Sequence, residues 1–177
     1  IIQDLDSEIA PVKSVWSRNR QYVLQDLQCG GFDGDFYTTP FWTSDEFAKY
    51  QGTVMAIDPS ARGTDETSYA IVSFLHTQLF LRSVGGFTDG FAEDTLRALA
   101  VKMARYGVNK YIIEKNYGGG MFDALLQPHV LRVAKAKQDE DWKSWSVGMK
   151  EMRILNVLEP IIQSHKLVVD RGVIEDD

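Results

Sequence analysis

Asp58 and Glu114 each close a short apolar run, Val54-Met55-Ala56-Ile57 and Tyr111-Ile112-Ile113, and two further acids, Asp65 and Glu66, follow Asp58 closely. Such runs, bounded by turn signals, read as strands covered on both faces, so each acid stands at a strand end. Carboxylates gathered at one end of a sheet repel one another unless protons or cations intervene. Their hard oxygens select Mg²⁺ or Mn²⁺, and two such ions about 3.5–4 Å apart activate a water and stabilise the leaving oxygen of a phosphodiester. Asp58 could bridge both ions. A plainer use stays open, because an Asp before Pro59-Ser60 can open a turn by accepting local N–H groups, and Asp65 or Thr64 can serve as a cap. The second acid at a second strand end weighs for the chemistry.

The elements that must position these acids follow from periodicity. Pro59 and Gly63 turn the chain and the apolar pattern restarts over 69–75, which makes a hairpin. A third strand over 78–84 is expected to stop at Gly85-Gly86 and complete a meander. A helix over 92–106 carries Leu96, Leu99, Ala100 and Met103 on one face, with Glu93 and Asp94 in the first turn where the helix dipole favours them. Gly107-Val108-Asn109 ends it, and the strand over 110–114 implies a crossover into a parallel neighbour. Gly118, Gly119 and Gly120 open a second helix running to about Leu126 and interrupted at Pro128. Bare N–H groups at such a helix start can receive a phosphate, or the glycines are a plain flexible loop. Residues 132–143 read as a polar, mobile loop, with Trp142, Trp145 and Val147 in a short strand. A helix over 149–164 and a strand over 166–169 close the chain. This order belongs to the ribonuclease H-like fold: an α/β architecture whose central mixed sheet, three antiparallel strands then parallel strands, is flanked by helices. In it the first and fourth strands are neighbours, which brings Asp58 beside Glu114.

Composition sets the outer bounds. The 177 residues, 44% hydrophobic, suit one α/β domain, and no apolar stretch reaches transmembrane length. Cys29 is the only cysteine, which excludes an intrachain disulfide and a cysteine-based zinc site. His76, His129 and His165 lack metal-pair spacing and are expected to bind none. The net charge of −6, from 19 basic and 25 acidic residues, argues against a surface built throughout for phosphate backbones, while leaving enough lysine and arginine for a local track. Residues 14–27 suggest a helix from Val15, Trp16, Val23, Leu24 and Leu27, and Gly30-Gly31, Gly34 and Pro40 break the next stretch into loops and extended pieces. The aromatic residues of this region are expected to pack onto the domain. Opening on Ile1 and closing on Asp176-Asp177, the chain reads as a piece of something longer.

Four stretches carry a family resemblance: Met55-Ala56-Ile57-Asp58-Pro59-Ser60 with Asp65-Glu66-Thr67; Gly85-Gly86-Phe87-Thr88-Asp89-Gly90; Ile113-Glu114-Lys115-Asn116-Tyr117-Gly118-Gly119-Gly120-Met121; and Leu158-Glu159-Pro160 with His165-Lys166-Leu167-Val168-Val169-Asp170. In this order, over nearly the whole chain, they resemble the terminase large subunit (DNA maturase, a DNA-packaging protein) of short-tailed bacteriophages. The resemblance implies the C-terminal nuclease domain, a Mg²⁺- or Mn²⁺-dependent endonuclease that cuts concatemeric double-stranded DNA into genome lengths. It implies Asp58 and Glu114 as metal-binding catalytic acids and Asp65 as an accessory acid, with two ions in the complete site. Gly118, Gly119, Gly120, Lys150 and Arg153 are weaker candidates for DNA contact, a solvated helix start being the plain reading of the last two. On this reading 1–52 is a connector from an ATPase domain and 53–177 is the nuclease domain, truncated at its C-terminus. Implied partners are double-stranded DNA, the ATPase domain of the same full-length protein, the terminase small subunit and the procapsid portal, in the host cytoplasm and without a membrane.

The chain departs from the family in two ways. It holds no Gly-x-x-x-x-Gly-Lys-Ser/Thr loop, so this piece is not expected to translocate DNA. The family's further catalytic aspartate lies downstream of the segment matching 173–177, so the chain is expected to hold an incomplete site and cut poorly, with Asp170 the nearest substitute at a strand end. An integrase or junction-resolvase-like nuclease shares the metal chemistry, and a non-catalytic portal-docking module predicts no metal response. An actin-like ATPase requires glycine close behind its strand-end acid, and here Pro59-Ser60-Ala61-Arg62 precede Gly63.

Overall fold

The computed structural model describes residues 1–29, 34–60, 65–114, 120–138 and 150–175. Its strands are β1 (Ile2–Gln3), β2 (Ile9–Pro11), β3 (Ser14–Val15), β4 (Trp42–Thr43), β5 (Phe47–Lys49), β6 (Gly52–Asp58), β7 (Thr67–Leu75), β8 (Gln78–Phe87), β9 (Lys110–Ile113), β10 (Lys137–Gln138) and β11 (Leu167–Asp170). The α-helices are α1 (Glu93–Arg105), α2 (Met121–Val133), α3 (Lys150–Gln163) and α4 (Arg171–Glu175). The chain divides into two compact units, one of Ile1–Gln51, Phe74–Arg82 and Ser146–Asp177, the other of Gly52–Ser73 and Ser83–Trp145.

In the second unit the strands are ordered β8-β7-β6-β9-β10. The meander β6 to β8 is followed by α1, and β9 then enters parallel to β6, with β10 parallel to β9. Alternation decides which side chains are covered. Met55 and Ile57 of β6, Tyr69 and Ile71 of β7, and Tyr111 and Ile113 of β9 are buried against Leu96, Leu99, Ala100 and Met103 of α1 and Phe122, Leu126 and Val130 of α2. Each large side chain so buried contributes about 1.5–3 kcal/mol relative to leaving it in water. Polar groups inside the unit are paired: Thr53 Oγ1 and Ser73 Oγ lie 2.8 Å apart, and the Tyr111 hydroxyl donates to Asp123 at 3.2 Å. Burial, then the charge of Asp123, raises the Tyr111 pKa above its ordinary value.

In the first unit β1, β11 and the opening half of β8 lie in the order β1-β11-β8, all parallel. Its core is Ala10, Leu75, Phe80 and Val168. Arg82, 4% exposed, donates through Nη2 to the carbonyls of Asp6 and Ser7 and lies over the Tyr50 ring at 4.5 Å. The two carbonyls and the ring face stand in for the water that a buried guanidinium gives up.

Several expectations are corrected. Residues 14–27 form no α-helix but β3 and a single 3-10 turn, Arg20–Tyr22. The Ser14 N–H donates to Gln78 Oε1 at 2.7 Å and β3 pairs with β4, so the backbone groups a helix would use are taken by a ladder. β8 does not stop at Gly85-Gly86 but runs on to Phe87. α2 passes Pro128 and continues to Val133, because Phe122, Leu126 and Val130 anchor it on both sides of the proline. Of the loop expected over 132–143, Arg132 and Val133 instead finish α2 and Lys137–Gln138 form β10, a two-residue polar edge strand, while 139–143 lie outside the described residues. Among the N-terminal aromatics, Tyr50 packs edge-on against Phe80, Trp16 stacks on His165 and Tyr22 meets Phe41 edge-on, but Phe36, Phe41, Trp42 and Phe47 stay about half exposed. The short strand expected around Trp142, Trp145 and Val147 lies outside the described residues.

Candidate metal centre

Asp58 and Glu114 are brought together by the β6–β9 ladder. The parallel register pairs Val54 with Lys110 and runs to Ile57 with Ile113, so the next position places Asp58 beside Glu114. The Glu114 N–H donates to the Ile57 carbonyl at 2.9 Å, which holds the ladder closed up to the acid itself. Neighbouring strands lie about 4.7–4.9 Å apart. Since Ile57 and Ile113 point into the core, Asp58 and Glu114 point to the opposite, open face, Asp58 exposed and Glu114 partly so.

The Ser60 N–H donates to Thr67 Oγ1 at 3.0 Å, and the Thr67 side chain is fully buried. Asp65 stands exposed just ahead of β7. Glu66, given no catalytic role from the sequence, is placed by two glycines. A Cβ at Gly85 would meet the Tyr69 ring, on the core face, at 3.0 Å, whereas a Cβ at Gly86 would overlap the Glu66 carboxylate and stand 3.2 Å from its Cβ. Gly85 and Gly86 belong to one strand and face opposite ways, so Glu66 lies on the open face with Asp58 and Glu114. The sequence signal for this was the Gly85-Gly86 pair, read there as a strand end instead of a close approach.

The remaining candidates are distributed differently. Gly120 is the N-cap of α2 with φ 95, a left-handed conformation that glycine adopts without strain, and no side chain caps the helix. Gly118 and Gly119 lie outside the described residues. Lys150 opens α3 and Arg153 follows in its first turn. Asp170 ends β11 and its Oδ1 accepts the Gly172 N–H at 2.9 Å, a local turn at the start of α4. Among the described residues no three of His, Cys, Asp and Glu gather as a metal-holding cluster. The donor set at the β6 and β9 ends is therefore two hard carboxylates on one open face. It suits a divalent cation that keeps part of its water shell, not a closed nitrogen-and-sulfur cage.

Comparison with known proteins shows the family of the chain. The family described as Terminase Bacteriophage T7, Ribonuclease H-like domain matches residues 57–167, more than half of the chain. The terminase large subunit of Enterobacteria phage T3 is 37% identical over 177 residues, covering all of this chain and 30% of that protein. This chain thus spans under a third of that relative's length. Among solved structures, the human cytomegalovirus terminase nuclease domain, Mn-soaked and inhibitor-bound, aligns with a TM-score of 0.49 at 14% identity, over 70% of this chain and 64% of the other. The nuclease domain of the large terminase subunit of bacterial virus Sf6 gives 0.44 at 17% identity, over 72% and 59%. From the motif order, the β8-β7-β6-β9-β10 sheet and the match over residues 57–167, this chain belongs to the bacteriophage T7 terminase ribonuclease H-like domain family.

Proposed function

We propose that this chain is the nuclease domain of a phage terminase large subunit, a divalent-metal-dependent endonuclease that cuts concatemeric double-stranded DNA into genome units. The observation that carries the reading is the β6–β9 register, which sets Asp58 beside Glu114 on the face turned away from the core. Divalent ions held there would supply an activated water and neutralise charge at the phosphodiester, Mg²⁺ and Mn²⁺ both being suited to carboxylate oxygens. Asp58 and Glu114 would hold the cation, and the hydrogen bond from the Ser60 N–H to Thr67 Oγ1 keeps the first acid at its strand end. The family resemblance assigns an accessory role to Asp65, one residue before Glu66. The Gly118-Gly119-Gly120 segment, Lys150 and Arg153 contact the DNA backbone. Residues 1–52 join the domain to an ATPase domain, and the small subunit and the procapsid portal are its partners in the host cytoplasm. In the family pattern a further acid lies downstream of the segment matching 173–177, and it would complete a site for two ions.

The test is cleavage of supercoiled plasmid in Mn²⁺ and in Mg²⁺ by this chain and by a longer form carrying the downstream acidic motif. The longer form is expected to cut faster, and Asp58→Asn in it to lower the rate by more than the 10–100-fold that loss of an outer metal partner typically costs. Robust cutting by the Asp58→Asn protein would overturn the assignment.

A further inference from the structure

We propose that Glu66, and not Asp65, is the third carboxylate of the β6–β9 metal face, acting as a positioning residue that holds a water of the cation's coordination shell. This rests on the reading of Asp58 and Glu114 as the metal-holding pair. Asp58 and Glu114 face away from the core because Ile57 and Ile113 face into it. Glu66 is put on the same side independently. The Gly85 and Gly86 Cβ positions point to opposite faces of β8; the first meets core residue Tyr69 and the second meets Glu66. Among the described residues no glycine approach places Asp65 in this way.

Proximity along the face follows from the pairing of β6 with its neighbour β7. The bonds from the Ser60 N–H to Thr67 Oγ1 and between Thr53 and Ser73 tie β6 to β7 near both ends. With Thr53 level with Ser73 and Ser60 level with Thr67, Glu66 falls beside the end of β6 that carries Asp58, within reach of a long side chain. A direct third ligand is not what the geometry gives, since no three acids converge among the described residues. A water of the cation's shell would bridge Glu66 to the ion, since Mg²⁺-type ions retain several. Gly86 serves this arrangement by having no side chain: a methyl group there would displace the Glu66 carboxylate. Glycine in a strand interior weakens the strand, so close approach by another group is its physical use at this position.

The experiment is Mn²⁺ titration, followed by electron paramagnetic resonance of the free hexaaqua ion, on the parent chain and on Asp58→Asn, Asp65→Asn, Glu66→Gln, Gly86→Ala and the Glu66→Gln/Gly86→Ala double variant. Glu66→Gln and Gly86→Ala are each expected to weaken Mn²⁺ binding about tenfold, the lower end of what loss of an outer metal partner costs. The double variant should be no weaker than either single one, and Asp65→Asn should stay within about twofold of the parent. Glu66→Gln tests the role without touching the β8 backbone. Binding unchanged in Glu66→Gln, or weakened as much by Asp65→Asn, overturns the Glu66 assignment. If Asp58→Asn abolishes binding at the same time, only that assignment falls. Undiminished binding by Asp58→Asn removes the pair itself and the inference with it.

Discussion

His165 lies flat on Trp16, with ring centroids 3.6 Å apart and planes 10° from parallel, in a backbone conformation of φ 53. Burial, then the positive charges of the Ile1 amino group and Arg18, holds its pKa below the ordinary 6.5. A depressed histidine takes up its proton more readily in the unfolded chain, so the site's contribution to stability is full above pH 6.5 and is lost as pH falls through the folded value. Asn tolerates the left-handed backbone, which makes His165→Asn a clean comparison. Lowering the pH from 7 to 5 is expected to reduce the parent's melting temperature more than that of His165→Asn; equal reductions would contradict this. Asp170 behaves in the opposite sense. Burial raises its pKa despite the Gly172 N–H bond and nearby Arg82, so the cost of its charge appears as pH rises through the folded value. Asp170→Asn keeps an oxygen for Gly172 and removes that charge. Its melting temperature at pH 7 is expected to equal or exceed the parent's, and a marked fall would show that the carboxylate charge itself is needed.

At the scale of elements, α2 tests how far packing overrides propensity. Pro128 is exposed inside the helix and has no N–H to give the Ala124 carbonyl, a defect that ordinarily costs about 3 kcal/mol. Pro128→Ala is expected to raise the urea midpoint by the equivalent of about 1–3 kcal/mol; an unchanged or lower midpoint would mean the proline is built into the packing. The same contest explains what the sequence disclosed. β6, β9 and α1 were legible because their apolar patterns are continuous and each buries a face. So were the two strand-end acids, since an acid that follows an apolar run has nowhere to go but the sheet's end. β3 was hidden because its ladder partner, β4, is far away in sequence. β10, polar and two residues long, is defined only by pairing with β9. Glu66 was legible as an acid but not as a position: the face it occupies is fixed by Gly86, twenty residues downstream on another strand.

For the whole molecule, the proposed function must reconcile charge with a polyanionic substrate. On that proposal, a net charge of −6 leaves DNA binding to a local basic track and to the cation rather than to the surface at large. Cleavage by the longer form is therefore expected to depend weakly on sequence and to fall steeply between 50 and 200 mM salt, as backbone contacts require. Sharp cutting at one short sequence, insensitive to salt, would point to a base-reading enzyme. The central claim is that Asp58 and Glu114 form one divalent-cation site, and the most direct measurement is the melting temperature of this chain against Mn²⁺ concentration, beside Asp58→Asn and Glu114→Gln. The parent should be stabilised in proportion to RT ln(1 + [Mn²⁺]/Kd) while both variants, still folded, give flat curves. A rise in either variant equal to the parent's would contradict the shared site.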